Sequence, residues 1–271
     1  MKFELFEEIF SALERVETGN EDIIFEKYIH RVKLETLRAI LSRKMHYKML
    51  ASLAKYNQNH PADQLHRLFF EGNESLTKLS KDYDLPLLVV ARMIIKHNEE
   101  GSDNATAFLR DPELIKDERL KFQVKEALEI DKAHSPMMDT IRSELGRCYE
   151  EKIRRYLLEH HVGFVEEKED RRRGMPKTPD FRLTIPVAVK LANGEWRVIT
   201  WIESKAMFGD PRTDVGYTRE QYLPYWNRFG PGLVIYWFDF VEDEIDSDEK
   251  IYRSSSLMLE IEKIKPKNKD Y

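Results

Sequence analysis

The apolar residues of this chain change their repeat about halfway along it, and that change limits the folds open to it. Before residue 131 they recur three or four apart: Phe6, Ile9, Phe10, Leu13 and Val16, then Leu34, Leu37, Leu41, Met45, Met49 and Leu53. Such spacing buries one face of a helix. Gly19 and Asn20 stop the first pattern, and Asn57 to Pro61 stops the second. Leu76, Leu79 and Tyr83, a break at Asp84, Leu85 and Pro86, then Val89, Val90 and Ile94 predict two short helices joined tightly, the shape of a helix-turn-helix. If that unit reads DNA, Arg92 and Lys96 on its second helix, Pro86 to His97, face the bases; the plain alternative is a helical hairpin. Gly101 to Asn104 is turn-rich, and Asp111-Pro112 predicts a helix start, with the helix running to about Ile130.

Asp131 to Pro136 breaks the periodicity, which sets the expected boundary between a helical domain, 1–135, and a second domain, 136–271. Beyond it a helix from about Met138 to His161, closed by Gly163, leads into strand-like runs at Phe181 to Lys190, Trp196 to Glu203 and Leu233 to Phe240. Asn193-Gly194 between the first two is a strong hairpin signal, so those strands are expected to pair antiparallel. Pro186 cannot donate to a ladder and implies an edge or a bulge. A helix over about Tyr217 to Phe229, ended by Gly230-Pro231-Gly232, precedes the last strand. The expected fold class is α/β, an all-helical N-terminal domain followed by a mixed sheet flanked by helices.

Gly and Pro number 11 each in 271 residues and 41 % of residues are hydrophobic, which excludes collagen-like and low-complexity chains. The single Cys148 can form no internal bridge and no thiolate zinc cage, and fits a reducing compartment. The longest uncharged run, Phe229 to Phe238, falls short of the about 20 residues a bilayer span needs. Glu4, Glu7 and Glu8 sit where a signal peptide carries positive charge. A soluble, intracellular protein with no membrane partner is expected. With a net charge of −5, any nucleic-acid contact must use local basic patches.

Two strand ends carry the chemistry. Asp180 follows Pro179 at the mouth of the first strand, and the second ends in Glu203-Ser204-Lys205 after Val198, Ile199, Trp201 and Ile202. Alternation puts Glu203 and Lys205 on one face and Ser204 on the other, and the hairpin brings Asp180 beside them. Two carboxylates and the Ser204 carbonyl offer hard oxygens suited to Mg²⁺, with Mn²⁺ as a substitute. A metal there, with Lys205 adding charge or orienting a water, suits phosphodiester hydrolysis. Glu-x-Lys also occurs at Glu150-Glu151-Lys152 and Glu166-Glu167-Lys168, read as solvated pairs in a helix and a polar loop. Glu150 is nevertheless the helix acid chosen to face the site. Gln221 and Tyr225, four apart, share a helix face from which both can touch a phosphate backbone, although Pro224 between them disturbs a regular helix. Arg171, Arg172, Arg173 and Lys177, just before the Pro-Asp pair, form a phosphate grip or a merely solvated run. Lys263, Lys265, Lys267 and Lys269 make a basic tail that reads as a nuclear address or a soluble end.

Together, Glu150, Pro179-Asp180, Glu203-Ser204-Lys205 and Gln221-x-x-x-Tyr225 resemble the motif set of the PD-(D/E)XK nuclease superfamily. More narrowly, the blocks Lys177 to Phe181, Trp201 to Ala206 with Phe208-Gly209-Asp210, and Tyr225 to Trp237 resemble the codanin-interacting nuclease family, its TPD-motif branch. The resemblance covers about Gly146 to Phe240. It implies N-terminal helix-turn-helix modules, a fold like that of Holliday-junction resolvases, a divalent metal, a mainly nuclear location with a cytoplasmic share, and binding to codanin. By position it implies Glu150, Asp180, Glu203 and Lys205 as the catalytic set, an endonuclease acting on DNA, branched or otherwise structured, and a homodimer by analogy with resolvases. The alternative is a catalytically weak or inactive nuclease fold kept as a codanin-binding adaptor.

Overall fold

The structure is a computed structural model, and it describes residues 1–14, 21–98, 105–191, 193–245, 250–257 and 261–263. Val16, Gly19, Asn20, the Gly101 to Asn104 turn and Lys265, Lys267 and Lys269 lie outside the described residues. The helices before the sheet are α1 (Phe3–Glu14), α2 (Glu21–Tyr28), α3 (Leu34–Asn59), α4 (Gln64–Phe70), α5 (Leu76–Tyr83), α6 (Leu87–Asn98), α7 (Ala105–Arg110), α8 (Glu118–Ile130) and α9 (Pro136–Glu159). Then follow β1 (Phe164–Glu166), α10 (Glu167–Arg172), β2 (Phe181–Lys190), β3 (Trp196–Lys205), α11 (Pro211–Tyr217), α12 (Leu223–Phe229), β4 (Gly232–Tyr236), β5 (Ile251–Ser254) and β6 (Ile261–Lys263). The chain forms two compact units, Lys44–Glu144 by itself and Met1–Arg43 together with Leu145–Tyr271.

In the helical unit the tight α5–α6 turn is made by Asp84, held in the left-handed region at φ 50, with Leu85 and Pro86 after it. Ser75 caps α5 by accepting from the Lys78 amide. Helix α6 is the core helix: Leu88, Val90, Ala91, Ile94 and Ile95 are all fully buried, packed among α4, α5, α7 and α8. What remains open on it is narrow. Arg92 lies 3.8 Å from Asp139, and Lys96 and His97 are exposed. The expected single helix from Pro112 to Ile130 is two elements. Asp111 caps only a 3₁₀ turn over Pro112–Leu114, and Asp117 starts α8 by accepting from the Leu120 amide. A second capping aspartate a turn and a half later outcompetes the first as a helix start.

The other unit carries a mixed sheet in the order β1-β2-β3-β4-β5, with β6 also on β2. β1, β2 and β3 run antiparallel, and β3, β4 and β5 run parallel. The Asn193-Gly194 turn joins β2 to β3, with Gly194 at φ 85 and its amide donating to the Leu191 carbonyl. Pro186 lies in a bulge, where the register jumps from Arg182↔Trp201 to Val187↔Ile199. One face of the sheet packs Ile202, Phe181, Leu233 and Ile235 against Ile153 and Leu157 of α9. The opposite face gathers Trp201, Val234 and Tyr236 with Tyr222 and Tyr225. A third cluster joins Phe6, Ile9, Leu37 and Ile40 of the first three helices to Phe208 and Val241, with the Phe6 and Phe208 rings stacked 5.5 Å apart.

Three expectations are corrected here. The last strand ends at Tyr236 rather than Phe240, because the chain turns at Asp239, whose φ is 74. The helix α9 is closed not by Gly163 but by His161, left-handed at φ 52, with the Val162 amide donating to the Leu157 carbonyl. Gly163 is needed for a different reason, since a Cβ there would collide with the Thr184 hydroxyl. The helix expected over Tyr217 to Phe229 begins at Pro211, capped by Asp210, and is broken by a π turn over Thr218–Tyr222 before α12 restarts.

That π turn follows from Pro224. A proline has no N–H for the carbonyl four residues back, here Glu220, and its ring crowds that carbonyl. Widening the turn relieves the crowding, and the Leu223 amide donates to Thr218 five residues back. Pro224 then sits in the first turn of α12, where proline is tolerated.

Candidate active site

The register Phe181↔Ile202 sets Asp180 opposite Glu203 at neighbouring strand ends. The backbone locks them together: the Ser204 amide donates to Asp180 Oδ2 at 2.7 Å, and the Asp180 amide donates to Glu203 Oε2 at 3.2 Å. Lys205 Nζ donates to Glu203 Oε1 at 2.7 Å and to Gln221 Oε1 at 2.9 Å, and lies 4.4 Å from the Tyr217 ring centre. Ser204 turns to the other face, where its Oγ accepts from Trp237 Nε1 at 2.9 Å. The π turn supplies Gln221 to this cluster, and π turns of this kind are frequent at functional sites.

A cleft of about 780 Å³ opens over Glu203 and Lys205. Its walls are Glu167 and Arg171 of α10, the loop from Gly174 to Thr178, and Glu220, Gln221 and Tyr225. Lys177 Nζ donates at 2.9 Å to the Glu220 carbonyl, the group that Pro224 leaves without its usual helical donor. The Arg228 guanidinium donates to the carbonyls of Pro176 and Lys177, so the loop is tied to α12, which follows the π turn that carries Gln221.

Charge in the cleft is unbalanced. Burial raises the proton affinity of Asp180 well above the ordinary aspartate value, and the neighbouring charges of Glu203 and Glu150 add to it against the Ser204 amide and Lys205. Burial likewise raises Glu203, opposed by Lys205 and reinforced by Glu167. Burial pulls Lys205 down, but the charge and hydrogen bond of Glu203 outweigh it and leave the ammonium above the ordinary lysine value. Burial also raises the Tyr225 phenol, with Glu203, Asp180 and Glu167 adding to it, so it is a hydrogen-bond donor throughout the ordinary pH range.

Not every residue singled out in the sequence meets here. Asp180, Glu203, Lys205, Gln221 and Tyr225 converge, and Arg171 and Lys177 stand in the cleft wall. Arg173 pairs with Glu169 at 2.5 Å, and neither it nor the exposed Arg172 lines the cleft. Glu150 is near enough for its charge to raise the Asp180 carboxyl, and, like Asp180 itself, it is not among the residues of the cleft wall. Glu167 is the acid that sequence reasoning passed over. Its amide donates to the Asp180 carbonyl at 3.1 Å, and its carboxylate accepts from Arg171 at 2.6 Å. The missed signal was the three-residue strand Phe164–Glu166, too short to betray itself by alternation, which pairs with β2 and delivers Glu167 to the strand end.

The donor set suits a hard dication: two carboxylates on adjacent strand ends, with Glu150 and Glu167 adding negative charge around them against Lys205. Among the described residues no group of three His, Cys, Asp or Glu side chains is clustered as a ready-made metal cage. Mg²⁺ takes one or two carboxylates and keeps several waters, a demand that the Asp180 and Glu203 pair would match. Among the described residues no helix is long and apolar enough to cross a membrane.

A family model described as "protein of unknown function TPD sequence-motif" matches residues 116–256. The CDAN1-interacting nuclease 1 of Bos taurus is 35 % identical over 221 residues, 77 % of each chain. This chain belongs to the codanin-interacting nuclease family. The human CDAN1-interacting nuclease 1 is 34 % identical over the same share of both chains. That of Xenopus laevis is 39 % identical over 175 residues, 62 % of this chain and 56 % of that one. No solved structure matches. The run Thr178-Pro179-Asp180 that opens β2 spells the motif for which the family model is named.

Proposed function

We propose that this member of the codanin-interacting nuclease family is a divalent-metal-dependent endonuclease that hydrolyses phosphodiester bonds of DNA, structured or branched DNA included, and works with codanin in the nucleus. The observation that carries the reading is the locked pair Asp180 and Glu203 with Lys205 beneath a cleft walled by Arg171 and Lys177. The codanin partner is proposed from the names of the relatives.

Asp180, Glu203 and the Ser204 carbonyl would hold Mg²⁺ or Mn²⁺. When bound, the ion supplies Lewis acidity toward a phosphoryl oxygen and a more acidic water. Lys205, fixed by Glu203 and Gln221, holds an ammonium over the reacting centre and stabilises charge that grows on the phosphate oxygens. The Tyr225 phenol stays protonated and donates to phosphate. Arg171 and Lys177 draw the polyanion to the cleft. Glu150 adds negative charge behind Asp180, which strengthens the site's demand for a cation.

The test is cleavage of branched and single-stranded DNA with Mg²⁺ or Mn²⁺ by wild type, Asp180→Ala and Glu203→Ala. Loss of cleavage in both variants supports the reading, and equal activity in all three discards it. Codanin capture by the doubly substituted chain separates the adaptor alternative: a wild type that never cuts, with capture intact in the double variant, favours scaffolding.

A further inference from the structure

Among the described residues a single buried side-chain polar atom has no hydrogen-bond partner, the Oγ1 of Thr178. Thr178 is 2 % exposed and stands in the wall of the cleft that Glu203, Lys205, Gln221 and Tyr225 also line. Folded proteins leave few such atoms, and each calls for an explanation, whether strain, a functional role or a bound water or ion. The loop around it is held firmly. Lys177, in the left-handed region at φ 50, is tied by its Nζ to the Glu220 carbonyl, and Arg228 grips the carbonyls of Pro176 and Lys177. Two residues on, the Asp180 carboxylate is occupied by the Ser204 amide. So the chain fixes Thr178 at the cleft from both sides while leaving its hydroxyl unused.

A hydroxyl donates one hydrogen bond, and a phosphate oxygen is a strong acceptor for it; Arg171, paired with Glu167, and Lys177 stand in the same wall with Glu203 and Glu220. We propose that Thr178 is a substrate-binding residue whose hydroxyl donates to a non-bridging oxygen of the phosphodiester seated over Glu203 and Lys205. The proposal requires the buried hydroxyl to turn toward the cleft, a step between staggered χ1 positions. This inference rests on the nuclease reading above.

The test uses the full chain with Thr178→Val, which keeps the shape and removes the hydroxyl, and Thr178→Ser, which keeps the hydroxyl. Thermal unfolding is measured without nucleic acid, and kcat and KM are measured on single-stranded and branched DNA with Mg²⁺. The valine variant is expected to melt at or above the wild-type temperature, since it replaces an unpartnered hydroxyl, and to lose about tenfold to a hundredfold in kcat/KM, the worth of a hydrogen bond to a charged group. The serine variant is expected to recover most of that loss. A valine variant that cuts as well as wild type overturns the Thr178 assignment alone. So does one that melts early while serine restores the melt, because the hydroxyl then serves the fold through a buried water. A wild type that neither binds nor cuts these DNAs overturns this inference and the nuclease reading together.

Discussion

Asp180 illustrates what a single side chain contributes. Its carboxyl holds a proton more tightly in the folded chain than in the unfolded one, chiefly through burial and next through Glu203. Ionised Asp180 therefore costs the fold stability at neutral pH, and the cost fades as pH falls through the folded value and is gone below the unfolded value of 3.8. Asp180→Asn should melt higher than wild type at pH 7, with the two curves converging on acidification. Melting scans at several pH values without metal measure this, and a lower melting temperature for the asparagine variant at pH 7 would contradict it. Mg²⁺ or Mn²⁺ should raise the melting temperature of wild type and not of Asp180→Asn or Glu203→Gln, as binding to the folded state alone requires. At this scale the Glu203 and Lys205 pairing was legible, because alternation along a strand is covalent geometry. Glu167 was not, because its Glu-Glu-Lys setting looks like solvated charge until β1 places it against β2.

Among the elements, the parallel pair β3 and β4 depends on Gly232, opposite Trp201 in the register. A Cβ at that position would collide with the Trp201 indole ring. Gly232→Ala is expected to destabilise the sheet by about 3 kcal/mol, read by denaturant unfolding followed through tryptophan fluorescence. The Gly230-Pro231-Gly232 run was legible as a helix stop, but the indole against it was not. Pro224 makes a parallel case. The sequence warned of a disturbed helix, and the structure turns the disturbance into an acceptor for Lys177 at the Glu220 carbonyl. Pro224→Ala returns an N–H that competes for that carbonyl, and KM for DNA should rise by about fivefold, the worth of one ordinary hydrogen bond, with helix stability unchanged or higher. An unchanged KM would detach the strap from substrate binding.

For the whole molecule, the first helices belong to the sheet-bearing unit rather than standing only with the helices that follow them in sequence. Phe6 stacks on Phe208, three residues past the end of β3, and Ile9, Leu37 and Ile40 complete that cluster. Phe6→Ala should cost about 3–5 kcal/mol and loosen amide protection in β3 and β4, which hydrogen exchange can follow. Full retention of that protection would show the cluster to be peripheral. The sequence by itself determined the two periodicities, the Asn-Gly hairpin, an edge or a bulge at Pro186, and the meeting of Asp180 with Glu203 and Lys205. All of these follow from dihedral preferences and alternation acting over a few residues. Only the tertiary structure decided that Glu167 walls the cleft, that Lys177 closes on Glu220, that Thr178 is left without a partner, and that residues 1–43 pack with the sheet unit. A hydrophobic stripe or a charged run states that a face must find a partner, while the partner's identity depends on shapes brought together from distant parts of the chain.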